Sequence, residues 1–264
     1  MAVITLLTDY GIKDSYVAEV KGVILRINPD ATIVDISHDV GNYEISSGAF
    51  HMVRSAPYFP RGATHVGVVD PTVGSKRKAI IIKTENAWFV GPDNGLLAPA
   101  AERLGVQKIY EIKGHPEFPL KVSEVFDGRD VFGPTGALLS KGVPPEEIGD
   151  EIDEYVRLEG YHTEIKGNKI YTEIIHVDGF GNCITNVKYS TLEKIKVGEE
   201  AKFEVKLDES TITLPYATRF SLVPEGKPLL LVAGGGYLEI AVNQGNAQKK
   251  YGLEKGDRIS LSLL

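Results

Sequence analysis

An apolar run, Val66-Gly67-Val68-Val69, stops at Asp70-Pro71 and turns through Gly74 into Lys76-Arg77. Proline has no N–H to give to a sheet ladder, so a strand must end there. Ends of strands are where open α/β sheets hold their ligands, and a carboxylate at such an end, with an arginine shortly after it, suits proton transfer or charge stabilisation. Taken alone, the same pattern also describes an ordinary turn with a surface ion pair.

Other stretches load polar residues into turns that packing does not require. Thr8-Asp9-Tyr10-Gly11 closes the first β-prone run; Asp9 is placed to accept both hydroxyls of a ribose, or only to form the turn. Val125 to Asp130 leads into a helix whose first amides favour negative charge, with Asp127 a candidate and Asp130 read as a helix cap. Asp178-Gly179-Phe180-Gly181-Asn182, followed by Thr185-Asn186, offers Phe180 as a stacking platform with Asp178 and Asn182 as polar readers. A β-bulge or hairpin turn would look the same. Gly234-Gly235-Gly236 reads equally as a tight turn or as a place where backbone approaches a flat ligand.

Several chemistries find no support. The six histidines, 38, 51, 65, 115, 162 and 176, show no His-x3-His spacing, and with a single cysteine no Cys-x2-Cys is possible, so no metal site is expected. His38-Asp39 and His176-Val177-Asp178 suit surface or supporting roles better than ligation. There is no nucleophile elbow, phosphate-binding loop or dinucleotide fingerprint. A net charge of -7 without a basic block argues against nucleic acid and anionic lipid. The single Cys183 rules out an intrachain disulfide, and no apolar stretch is long enough for a bilayer or a signal sequence, so a soluble, cytoplasmic protein is expected. Abundant Glu and Lys with little Met and Cys lean towards a heat-adapted source.

The elements that must carry these turns alternate. Strands are predicted at Val3 to Thr8, Thr32 to Ile36, His65 to Val69, Ala79 to Lys83, Trp88 to Val90 and Lys108 to Ile112. Helices are predicted from an Asp14 cap to Asn28-Pro29 through Val17, Val20, Ile24 and Ile27, then at Glu44 to Val53, Leu97 to Leu104, and Asp130 to Ser140 closed by Gly142. Such alternation predicts a mainly parallel, open, Rossmann-like α/β sheet over 1–150. After Pro144-Pro145 helical periodicity fades. A linker over 151–160 and an all-β barrel over 161–264 are expected, with a hairpin over Ile165 to Val177 and strands at Ala201 to Leu214, Leu229 to Ala233, Tyr237 to Val242 and Arg258 to Leu263.

Seven motifs in register, LLTDYG, INPDATIVDISH, GVVDPTVGSKR, VGPDNGLL, FDGRDVFGP, DGFGNCITN and GYLEIAVN, make the chain similar to the SAM hydroxide adenosyltransferase (SAM hydrolase) family, whose relatives are the fluorinase and chlorinase. The resemblance implies an α/β domain, a β-barrel, and a homotrimer whose sites lie between one subunit's first domain and a neighbour's second. It implies cleavage of S-adenosyl-L-methionine at C5′ to adenosine and L-methionine, with no cofactor. Carried onto this chain, Asp9 would hold the ribose, Asp178 and Asn182 the methionine and adenosine side, Phe180 and Phe220 the purine faces, and backbone near Val242 the adenine edge. Asp70 and Arg77 match two members of the hydrolase triad; where the family usually has histidine, this chain has Asp127. Two carboxylates sharing Arg77 would repel one another, leaving one as a serviceable base. Non-catalytic binding of adenosine or SAM is the alternative. Halide transfer is disfavoured because Asp70 would repel the anion and because the chain from Lys83 to Trp88 is short.

Overall fold

The computed structural model describes residues 2–119, 123–158, 163–198, 200–208 and 210–264. The last linker positions, 159 and 160, and His162 lie outside them. Internal contacts divide the chain into Met1–Glu159 and Gly160–Leu264. The stretch expected as a linker is bound to the first unit: Val156 N–H donates to Asp93 at 2.7 Å and Arg157 pairs with Glu102 at 2.9 Å.

In the first unit the elements run β1 (Val3–Thr8), α1 (Tyr16–Ile27), β2 (Thr32–Ser37), α2 (Ile45–Ser55), β3 (Ala63–Val68), β4 (Ala79–Thr84), β5 (Ala87–Pro92), α3 (Ala98–Arg103), β6 (Val106–Ile112), α4 (Gly133–Lys141) and β7 (Gly149–Ile152). Sheet order is β2-β1-β3-β5-β4-β6-β7. The expectation of a mainly parallel sheet needs correction: β2, β1, β3 and β5 are parallel, but β4, β6 and β7 join antiparallel. Only Glu85 and Asn86 separate β4 from β5, and so short a link makes a hairpin, since a parallel neighbour would need a crossover. Every residue of β1 and β3 is buried, as expected of strands covered on both faces. On one face Val66 and Val68 pack with Ile4, Leu6 and residues of α1 and α4; on the other, Gly67 lies against Met52, Leu96 and Leu97.

Helix α1 begins one residue later than the Asp14 cap would place it. Ser15 holds the capping position without a side-chain cap, and its hydroxyl donates instead to Glu19 at 2.8 Å. Helix α4 ends as predicted, at a left-handed Gly142. Its start differs: a π-helical turn over Gly128–Phe132 precedes it, and Asp130, read as a cap, is buried and paired through both carboxylate oxygens with Arg129 at 2.7 and 3.0 Å.

The second unit contains β8 (Glu164–Lys166), β9 (Lys169–Val177), β10 (Cys183–Lys188), α5 (Tyr189–Lys194), β11 (Lys202–Lys206), β12 (Thr211–Pro215), β13 (Pro228–Val232), β14 (Tyr237–Val242), α6 (Ala247–Tyr251) and β15 (Arg258–Leu263). Its antiparallel path β12-β11-β15-β9-β10-β14-β13 nearly closes into a barrel, because Ala217 N–H donates to the Leu230 carbonyl at 2.8 Å and joins the two ends. Phe203, Val205, Leu230, Leu238, Ile240 and Leu261 fill it. Gly234 to Gly236 form the turn between β13 and β14, with Gly236 at φ 78.

His65, in β3, is wholly buried between the rings of Phe59 and Phe89, with Nδ1 2.8 Å from Thr5 Oγ1. Burial pushes its pKa down to about 4. Below the ordinary value of about 6.5 the unfolded chain takes up this proton and the folded chain does not, so His65 stabilises the fold fully above that pH and progressively less as pH falls towards 4. Urea titrations between pH 7 and 4 should show a loss of up to about 3 kcal/mol from this group. His65→Leu should flatten that part of the slope; equal slopes in the two proteins would contradict the assignment.

Candidate active site

Strand β3 delivers Asp70 just beyond its end, as the proline requires. The Thr72 N–H and hydroxyl donate to Asp70 Oδ1 at 3.3 and 3.2 Å, closing the turn over its own carboxylate. Arg77 returns from the far side of that turn. Its Nε and Nη2 donate to Asp70 Oδ2 at 2.8 and 2.5 Å, and Nη2 also reaches Asp127 Oδ2 at 2.5 Å. The three side chains are nearly dry, with 5 % of Asp70, 10 % of Arg77 and 12 % of Asp127 exposed. Burial opposes the charge on Arg77, but hydrogen bonds and charge from Asp70, then Asp127, outweigh it and hold the guanidinium above its ordinary pKa. Phe132 lies beneath, its ring centre 5.1 Å from the guanidinium carbon.

Asp70 and Asp127 open on a cavity of about 580 Å³, which Asp9, Tyr10, Tyr43 and Phe126 also line. Asp9 Oδ2 accepts from the Tyr43 N–H at 2.9 Å, and Tyr43 holds a positive φ of 65, uncommon for a residue with a side chain. The loop carrying Asp9 is braced from below. Lys21 pairs with Asp35 at 2.6 Å, Asp35 lies 3.0 Å from His38 Nε2, and His38 Nδ1 lies 2.8 Å from the Thr8 hydroxyl, which accepts from the Tyr10 N–H at 3.2 Å. His38 therefore supports a loop. Among the described residues no group of three or more His, Cys, Asp or Glu is arranged to hold a metal.

In the second unit, Asp178 shapes the loop after β9. Its Oδ1 accepts the N–H groups of Phe180 and Asn182, each at 2.9 Å, and Oδ2 accepts the Asn182 side-chain amide at 2.9 Å. Gly181, at φ 82, packs so closely on Asn246 that a β-carbon would collide with it. Phe180 is left 79 % exposed, and with Asn182, Phe220, Val242 and Gly245 it lines a cleft of about 470 Å³. Each unit thus gathers its own predicted residues: Asp9, Asp70, Arg77 and Asp127 in the first, Asp178, Phe180, Asn182, Phe220 and Val242 in the second. Tyr10 and Tyr43 were not singled out from sequence. Tyr10 stands in the quoted TDYG motif, whereas nothing in the sequence marks Tyr43 for a positive φ.

Residues 4–149 match the family model of the SAM hydroxide adenosyltransferase N-terminal domain, and residues 172–260 that of the C-terminal domain. The chain belongs to the SAM hydroxide adenosyltransferase family. Among curated relatives, the (R)-S-adenosyl-L-methionine hydrolase of Methanocaldococcus jannaschii is 37% identical, over 98% of this chain and 95% of that protein. A fluorinase of Nocardia brasiliensis is 27% identical over 99% of this chain and 97% of its own length. A crystal structure of an uncharacterized conserved protein from Thermotoga maritima superposes with a TM-score of 0.93 at 36% identity, covering 98% of this chain and 99% of that one. This member of the SAM hydroxide adenosyltransferase family is marked by its buried Asp70–Arg77–Asp127 ion triad.

Truncating the shared cation leaves two carboxylates facing one another with little water. Arg77→Met should lower unfolding stability at pH 7 by roughly 3 kcal/mol, and adding Asp127→Asn should restore part of it. Chemical denaturation of the single and double variants measures this; a single variant as stable as the parent would show the triad to be slack.

Proposed function

We propose that this protein hydrolyses S-adenosyl-L-methionine to adenosine and L-methionine, acting on the (R) sulfonium epimer named for its Methanocaldococcus relative. The carrying observation is the ion triad, whose two carboxylates line an acidic cavity. A sulfonium is a good leaving group, so the site need only place water in line with the C5′–S bond and accept its proton. Water oxygen bonds to C5′, the C5′–S pair returns to sulfur to give a neutral thioether, and a carboxylate takes the proton. Asp70 already accepts from Thr72 on one oxygen and from Arg77 on the other, and is assigned as the anchor of the guanidinium; Asp127 is assigned the proton. The ribose goes to Asp9. Phe180 and Phe220 take the purine faces, backbone near Val242 its edge, and Asp178 and Asn182 hold the loop around the remainder. No cofactor is required, and a cytoplasmic location is part of the same proposal.

A homotrimer, with each substrate shared between one subunit's first domain and its neighbour's second, completes the reading. It is supported by the family resemblance and by the open, separately lined cleft that each unit presents. Light scattering should give about three times the 28.8 kDa chain mass; a monomer would sink this part. A second reading, tight binding without turnover, is favoured by one observation, the close engagement of Asp127 with Arg77 where the family usually has histidine. Halide transfer has less support: Asp70 repels the anion, and similarity to the hydrolase exceeds that to the fluorinase.

Purified protein incubated with the (R) epimer of SAM should release adenosine, well above the release from the (S) epimer, and Asp70→Asn should reduce kcat by about a hundredfold or more. Adenosine binding without turnover, unrestored by Asp127→His, would select the binding reading instead.

A further inference from the structure

Tyr10 follows Asp9 at the end of β1, and the assigned roles make no use of its hydroxyl. The ring stands edge-on to Tyr16 and Phe126, with centroids 6.0 and 5.8 Å away, while the Arg129 guanidinium covers Phe126 at 4.7 Å. The orientation of the phenol is therefore set by packing. Its oxygen lies against the α-carbon of Gly128, the residue after Asp127, so closely that a β-carbon there would collide with it. Tyr10, Asp70 and Asp127 line the same cavity. Among the described residues the Tyr10 hydroxyl makes no hydrogen bond.

The cavity wall carries carboxylates and the side-chain donors Tyr10, Tyr16, Asn42, Tyr43 and Ser123, and of these donors Tyr10 has its hydroxyl against Gly128, next to Asp127. Asp9, Asp70 and Asp127 all present carboxylates, whereas Arg77 commits Nε and Nη2 to two of them and turns Nη1 towards the Lys78 carbonyl at 3.5 Å. An attacking water can give its protons away readily there. What it needs beside the triad is a donor to hold its oxygen and to stabilise the negative charge that grows as the proton departs. We propose that the Tyr10 hydroxyl is that donor, a catalytic group that hydrogen-bonds the nucleophilic water and aims its remaining lone pair at C5′. Burial first, then the charges of Asp9, Asp70 and Asp127, raise the phenol pKa well above its ordinary value, so the donor keeps its proton throughout the working pH range. No proton passes through Tyr10: the bond to C5′ forms, the C5′–S pair goes to sulfur, and the proton goes to the carboxylate.

This inference rests on the hydrolase reading, and turnover by the unaltered protein tests that reading separately. Tyr10→Phe keeps the ring and removes only the hydroxyl. With the (R) epimer as substrate, kcat should fall between about tenfold and a hundredfold while KM stays within about threefold. Adenosine affinity by calorimetry and the thermal midpoint should be unchanged. An active parent with an undiminished Tyr10→Phe variant would overturn the assignment. So would a fall in kcat matched by an equal loss of adenosine affinity and stability, since the hydroxyl would then serve only the shape of the pocket.

Discussion

One guanidinium shared by two carboxylates organises the first unit's cavity. Arg77 cannot give up its charge and is nearly dry, so it holds Asp70 and Asp127 within 2.5 Å of one nitrogen, although they are far apart in the chain. Taking three charges out of water is costly, and such an arrangement persists only when the geometry around it is fixed. Strand β3 ending at Pro71, the turn closed by Thr72, the π-helical turn after Asp127 and the ring of Phe132 supply that geometry. Two anions against one cation leave the cluster negative, as is Asp9 beside it. A cavity of this sign favours a cationic ligand and disfavours a free anion.

A second constraint recurs at three loops. Asp70 accepts from the Thr72 N–H, Asp9 from the Tyr43 N–H, and Asp178 from those of Phe180 and Asn182. Asp70 and Asp178, at or near the ends of strands, each close the turn that presents them, whereas Asp9 ties its loop to the separate one that carries Tyr43. The structural reading of these residues as turn formers and the functional reading as cavity-lining groups are therefore compatible. The backbone amides fix one carboxylate edge and reduce its rotational freedom, so little ordering remains to be done when a ligand arrives.

Much of this was legible in the sequence, and the reasons differ from one element to the next. The six-residue runs of β1 and β14 are mostly apolar and buried throughout, and α1 repeats its apolar residues at helical spacing, so burial and pattern agree. The antiparallel half of the first sheet was missed because pairing direction is set by how the chain returns, not by what a strand contains. Strand β10 is not among the predicted strands, because Thr185-Asn186 follows the polar Asp178 to Asn182 turn and breaks the apolar pattern. In the barrel wall the Thr185 hydroxyl donates to the Leu238 carbonyl at 2.7 Å and Asn186 Oδ1 accepts from the Thr172 hydroxyl, so two polar residues are satisfied inside a strand. The short helices α5 and α6 carry too few residues for a periodic signal. The site residues were found through motif order; Tyr10 escaped because its position against Gly128 depends on a packing contact between distant segments.

The carboxylate at position 127 changes the chemistry the site would have to perform. A neutral imidazole would leave the cluster uncharged overall, whereas Asp127 leaves it anionic once Arg77 is counted. Hydroxide formed in bulk would then meet repulsion on entry, so on the proposed reading the nucleophile arrives as neutral water and loses its proton only as the bond to C5′ develops. Negative charge then appears on the water oxygen only as far as proton loss runs ahead of bonding to C5′, next to carboxylates that cannot stabilise it. A neutral donor suits that moment better than a second cation would, because a further ammonium or guanidinium would be drawn into the existing ion cluster. Tyr10, fixed by Tyr16 and Phe126 and adjoining Gly128, is a neutral donor of this kind on the cavity wall.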